Sequence, residues 1–206
     1  MNHSGATAAR LVRSARRLFA ARGYDQASVR AITRGARANL GAVTYHFGSK
    51  WNLYATVVDQ MFAAMADRLA AAADTPGPAT VRIAGLVQAM FAFFADYPEA
   101  PRIMLHALAR GGPPPEAALP HLRRNLTTIT AVIRDGQAAG ELRAVDPFLA
   151  TFTLLSQSIW FAVARRVIAS AAGRPLDGAP AAAAVARHIT DVAVRGFRAD
   201  PQGDLR

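Results

Sequence analysis

Nine cationic side chains crowd the first fifty residues: eight arginines and Lys50, with Asp25 as the only acid, a net +8. Residues 51–206 carry fifteen arginines against thirteen acids, a net +2. Of all the basic residues only Lys50 is lysine, and alanine makes up nearly a quarter of the 206 residues. That slant has the stamp of GC-rich coding, so a pI near 11.4 says little by itself. Codon usage would spread the charge along the chain, however, and this charge is concentrated. A basic quarter on a nearly balanced remainder has the chemistry of a polyanion-binding module joined to something else.

The elements that must position these charges read as helices throughout. No run of alternating β-branched residues occurs, and no Asn-Gly or Asp-Gly hairpin stands between two such runs. Leu11, Ala15, Leu18 and Phe19 form one apolar stripe on a first helix, interleaved with Arg10, Arg13, Arg16 and Arg17, and Gly23 is expected to end it. Ser28 is placed to cap a short helix over 29–36 that buries Val29 and Ile32. Asn39 is placed to cap another from Leu40 to about His46, burying Val43 and Phe47, and Ser49 a longer one over 50–73. Two helices of about eight and seven residues around Arg37-Ala38-Asn39 have helix-turn-helix dimensions. In such a unit the second helix offers its first residues to base edges in the major groove, while flanking groups hold phosphates.

The stretch Leu18-Phe19-Ala20-Ala21-Arg22-Gly23-Tyr24 through Ser28-Val29-Arg30-Ala31-Ile32, followed by Gly41-Ala42-Val43-Thr44-Tyr45-His46-Phe47-Gly48-Ser49-Lys50, resembles the DNA-binding domain of TetR-family transcriptional regulators. The resemblance covers roughly residues 8–62. It implies a helix-turn-helix over 28–47, with Ser28 and Arg30 touching phosphate and Asn39, Leu40, Gly41, Thr44 and Tyr45 facing the groove. Gly41 would allow close approach, Asn39 would cap or contact, and Leu40 would meet a thymine methyl. Tyr45 or His46 would reach phosphate or base, and Lys50 would hold a backbone phosphate. Two positions depart from the family pattern: Arg37 where a turn glycine is usual and Thr44 where an aromatic is usual. Glycine stands instead at Gly35, inside the second helix, at a cost of about 1 kcal/mol against alanine. Either Arg37 takes a positive φ or the turn is shifted.

Beyond the break at Asp74-Thr75-Pro76-Gly77-Pro78, punctuation by Pro and Gly marks five more helices, at about 79–95, 99–110, 116–139, 147–172 and 180–198. Asp146-Pro147 pairs a cap with a proline at the first helical position. The expected architecture is therefore all-α, with about nine helices. A three-helix DNA-binding head over 1–50 is joined by the helix at 50–73 to a larger helical domain, 75–206, for effector binding and dimerisation. Phe91, Phe94, Met104, Gln157, Trp160 and Phe161 are candidate linings for an apolar effector pocket, although aromatic stripes usually belong to a plain core. Gln157, between Ser156 and Ser158 on an apolar helix, would need polar partners if buried. The resemblance implies a homodimer built on the last two helices, where Ala162, Ala169, Val185, Ile189 and Val192 would allow close packing.

The absence of cysteine excludes disulfides, Cys-ligated zinc and thiol nucleophiles. No GxGxxG, GxxxxGK[ST], HExxH or GxSxG occurs, and the five histidines (3, 46, 106, 121 and 188) lack metal-ligand spacing. Neither a metal nor a cofactor is expected. Asp96, Glu99 and His106 are the enzymatic alternative, should they meet and do acid–base work. The first helix has no signal-peptide core, and the most apolar stretch, residues 150–164, falls short of the ~20 residues of a membrane span. The expectation is a cytoplasmic, non-enzymatic regulator that binds double-stranded DNA as a homodimer and, as a repressor, is released by a small apolar effector. The competing reading is an architectural DNA-binding protein that answers to no ligand.

Overall fold

The computed structural model describes residues 3–176 and 178–199. Among them are nine α-helices: α1 (His3–Gln26), α2 (Val29–Gly35), α3 (Ala42–Phe47), α4 (Lys50–Ala73), α5 (Ala79–Asp96), α6 (Ala100–Arg110), α7 (Leu119–Ala138), α8 (Pro147–Ala172) and α9 (Ala179–Phe197). One turn of 3₁₀-helix, Glu116–Ala118, leads into α7, and no strand occurs among the described residues. The chain divides into two compact units. The first holds the chain up to Ala63 together with Tyr97–His121, and the second holds Ala64–Asp96 and the chain from Leu122 onward.

In the first unit the stripe on α1 does what its spacing requires, with Leu11, Ala15 and Phe19 fully buried beside Ile32 of α2 and Val43 of α3. Gly23 breaks the helix as expected: its φ 72°, ψ 174° is non-helical, and a separate short helical turn follows it as far as Gln26. The Phe19 ring meets Tyr54 edge-on at 5.1 Å and Tyr24 at 6.0 Å, and Trp51 in turn packs against Tyr24 and Tyr54. Where α1 crosses α2, the Ser14 hydroxyl donates to the Ile32 carbonyl at 2.8 Å. Gly35 makes this crossing possible, because a Cβ there would collide with the Ser14 Oγ. Gly35 is the last residue of α2 rather than an interior one, so its small size serves the close approach of the two helices at little cost to the helix.

The second unit is centred on α5, which packs on α8 and α9. Ile83, Leu86, Val87 and Met90 of α5 are fully buried, as are Ile129, Val132 and Ile133 of α7 and Leu154 of α8. Asp146 caps α8 as its sequence context predicts, accepting from the Phe148 and Leu149 amides at 2.7 and 3.2 Å. The loop after α7 is pinned to the segment after α9, with the Arg143 amide donating to Phe197 O and the Ala199 amide to Glu141 O. Two helices, α5 and α8, reach the length and hydropathy of a membrane span by composition, so the apolar stretch at 150–164 belongs to a helix longer than its 15 residues suggest. Core helices meet the same criterion, and α5 buries seven side chains in its own unit.

The α1–α2 crossing makes a quantitative prediction. Gly35→Ala should be less favourable in the wild type than in a Ser14→Ala background by about 1 kcal/mol, since the methyl displaces the hydroxyl from its hydrogen bond only in the former. Urea unfolding of the four proteins checks this. Additive changes would mean the glycine has another reason.

Candidate nucleic-acid interface

The helix-turn-helix is assembled from short pieces whose ends are individually satisfied. Ser28, in extended conformation, caps α2 by accepting from the Ala31 amide at 3.2 Å. At the other end the Ala38 amide donates to Thr33 O and the Arg37 amide to Arg34 O, at 3.0 and 3.1 Å. This pair of bonds is a Schellman motif, whose residue after the cap lies in the left-handed region and is usually glycine. Here that residue is Arg37 at φ 51°, the only non-glycine with positive φ among the described residues. Of the two possibilities left open by the sequence, the turn is therefore in register and Arg37 adopts the conformation. The leftover Ala36 carbonyl accepts from Arg10 Nε at 3.1 Å, and Arg10 also reaches the Thr7 hydroxyl.

The start of α3 corrects an expectation. Asn39 does not cap it, and Leu40 is not its first residue. The Asn39 carbonyl accepts from the Ala42 amide at 3.0 Å, closing a turn, and Gly41 occupies the cap position with no side-chain cap. A Cβ added at Gly41 would meet nothing in the chain. Val43 turns into the core, while Leu40, Thr44 and Tyr45 turn out, Tyr45 at 81% exposure. His46 and Phe47 are half-buried, so Phe47 is less of a core residue than its type suggests, and Val29 is likewise half-buried. The Tyr45 and His46 rings meet edge-on at 4.9 Å. Ser28, Arg30, Asn39 and Gly41 are exposed.

Lys50 opens α4 after Ser49, whose hydroxyl accepts from the Asn52 amide at 3.0 Å. The Lys50 ammonium donates to the Asp25 carbonyl at 3.3 Å and lies 4.3 Å from the centre of the Tyr24 ring. It thus already braces the end of α1. Arg110 of α6 approaches the same aromatic group from another side, at 5.2–5.8 Å from the Tyr24, Trp51 and Tyr54 ring centres. Burial pushes the Tyr54 phenol above its ordinary range, and the Arg110 charge draws it partly back. The sequence offers no sign of this cluster, because its members come from three helices distant along the chain.

The candidate effector residues are spread out. Phe91 and Phe161 meet with ring centres 5.7 Å apart, and Phe94 is buried in the second unit. Gln157 is half-buried, Trp160 is 65% exposed, and Met104 belongs to the first unit. The serines beside Gln157 need no outside partner: Ser158 donates to Leu154 O and Ser156 to Thr153 O of their own helix. Ile189 is buried in its own unit, whereas Val192 is exposed. As for acid–base chemistry, Asp96 is paired with Arg68 and Glu99 with Arg16. No cluster of three His, Asp or Glu able to hold a metal occurs among the described residues.

Residues 11–57 match the bacterial regulatory proteins of the TetR family, and residues 76–163 match the tetracycline-repressor-like C-terminal domain. The chain belongs to the TetR family of transcriptional regulators. No curated protein sequence matches it. Among solved structures, SCO4942 of Streptomyces coelicolor is 25% identical with a TM-score of 0.73, covering 93% of this chain and 98% of its own. A TetR-family regulatory protein from Rhodococcus RHA1 is 22% identical with a TM-score of 0.78, covering 97% and 100%. The Bacillus subtilis regulator FadR, solved with stearoyl-CoA, shares the fold at 15% identity and a TM-score of 0.75, covering 91% and 98%.

The buried Tyr54 phenol gives a pH signature. A phenol whose folded pKa is raised contributes stability that is fully present below its unfolded pKa of about 10 and is lost as the pH climbs through the folded value. Stability of the wild type should therefore fall more steeply above pH 10 than that of Tyr54→Phe, measured by urea unfolding along the alkaline limb. Identical limbs would contradict the assignment.

Proposed function

We propose that the protein is a repressor that binds a palindromic operator as a homodimer and is released when a small apolar molecule enters the second unit. The observation that carries the DNA reading is the outward edge of the helix-turn-helix. Leu40, Thr44 and Tyr45 are kept out of the core on the most basic part of the chain, while Val43 alone anchors α3 inward. In this reading Asn39, Leu40, Gly41, Thr44 and Tyr45 face the groove, and Ser28, Arg30 and Lys50 hold the backbone, with His46 at the border between them. The smallness of Gly41 serves nothing inside the chain, which suits close approach of an outside surface.

Dimerisation has its own support. Leu149, Phe152, Trp160 and Val167 share one face of α8 and are each at least 60% exposed, with Val192 of α9 also exposed. A contiguous apolar face of this kind on a chain with a well-filled core is what an obligate partner covers. For the effector, the Phe91–Phe161 pair and the half-buried Gln157 supply an apolar body and one polar handle. FadR, solved with stearoyl-CoA, is a protein of the same fold that takes a ligand with an apolar acyl chain, which supports an apolar effector here. Effector binding would act by changing the separation of the two recognition helices, which the fixed helical repeat of DNA makes decisive.

Footprinting at about 0.15 M salt should reveal a short palindromic site with half-sites about one helical turn, ~34 Å, apart. Uniform protection of all sequences would contradict the operator reading. Substitution of Thr44 or Tyr45 should change base preference within that site by ~1–3 kcal/mol. Equal losses on operator and random DNA would remove both residues from the readout.

A further inference from the structure

Resting on the DNA-binding reading, we infer that Arg37 makes the hollow between the start of α1 and the helix-turn-helix a seat for a phosphodiester of the duplex backbone. The hollow has a volume of about 510 Å³ and is lined by Thr7, Arg10, Arg37, Asn39, Tyr45 and His46, among other residues, with no acid in its wall. Its polar lining is rich in donors: two guanidiniums, an amide, two hydroxyls and an imidazole.

Three observations single out Arg37 within it. First, its backbone is where an L side chain is costly. A positive φ of 51° at the residue after a helix cap is glycine's place, and a bulky residue there persists only if something else retains it. Second, Arg37 is exposed, and its guanidinium makes no hydrogen bond or ion pair among the described residues. Third, the neighbouring cation is already engaged. Arg10 is held against the Ala36 carbonyl and the Thr7 hydroxyl, which leaves Arg37 as the lining guanidinium with no hydrogen bond of its own among the described residues. A guanidinium that can offer two parallel N–H donors, beside a fixed second one, matches two oxygens of one phosphate. Tyr45 and His46 of α3 border the hollow on the side of the groove-facing edge, but both of its guanidiniums come from the turn and α1, which fits a phosphate better than a base.

The test compares wild type, Arg37→Gly and Arg37→Lys in binding to operator and random duplex between about 0.05 and 0.3 M salt, with thermal unfolding of each. Arg37→Gly relieves the backbone and should raise Tm by roughly 2–4 °C. It should also weaken both duplexes by a similar factor and reduce the slope of log K against log salt by about 0.9. Arg37→Lys keeps charge and strain, so its slope and Tm should stay at wild-type values. A lower Tm in Arg37→Gly would show that the side chain supports the fold and would overturn the inference. An unchanged slope would do the same, as would a loss confined to the operator, which would mean a base contact. Wild-type protein that binds no duplex would overturn the DNA-binding reading, and this inference with it.

Discussion

The hydrogen bond from the Ser14 hydroxyl to the Ile32 carbonyl marks the contact on which the helix-turn-helix depends. Helices of seven and six residues are too short to persist on their own, because nucleation costs more than so few propagation steps return. Their stability and direction must come from α1. That helix supplies Leu11, Ala15 and Phe19 as a floor, and the Ser14–Gly35 crossing sets how closely α2 can approach. Arg10 then closes the end of α2 through the Ala36 carbonyl. Through the Schellman turn that follows, the orientation of α2 is passed to α3, whose only fully inward side chain is Val43.

Within that well-satisfied frame, the residues proposed to meet DNA are those that local physics does not favour. Tyr45 and Leu40 leave large apolar surface in water, and Arg37 stands in a glycine conformation. Such departures are expected where a chain serves a partner rather than its own fold. The same reasoning applies to α8 in the second unit. Its inward residues Leu154 and Ser158 are completely buried, while Trp160 and Val167 are left exposed at 65% and 70%.

Much of the architecture is legible in the chain because it is written in local chemistry. Ser28, Ser49 and Asp146 cap helices through bonds to amides two or three residues away, and the alternation of Gly and Pro breaks separates the remaining elements. Where the reading fails, the deciding interaction is either competing or distant. Asn39 has the side chain of a cap, but the turn fixed by Arg37 and Ala38 places Gly41 at that position instead. Arg10 looks like one more surface arginine until it is seen bonded to a carbonyl 26 residues along the chain. The serines flanking Gln157 suggested a polar pocket, yet each bonds within its own helix, which hydropathy patterns do not reveal. The aromatic group around Tyr54 draws on α1, α4 and α6 and has no local signature at all.

The central claim is that the turn and short helix between Arg37 and Phe47 form the surface that meets DNA. Amide hydrogen exchange, followed with and without a saturating operator duplex, tests it on the protein itself. Protection should rise at residues 28–50 and in the first turns of α1, while α5, buried in the second unit, stays unchanged. Protection that appears in α5 or α7 and leaves residues 37–47 exchanging as in the free protein would contradict the account.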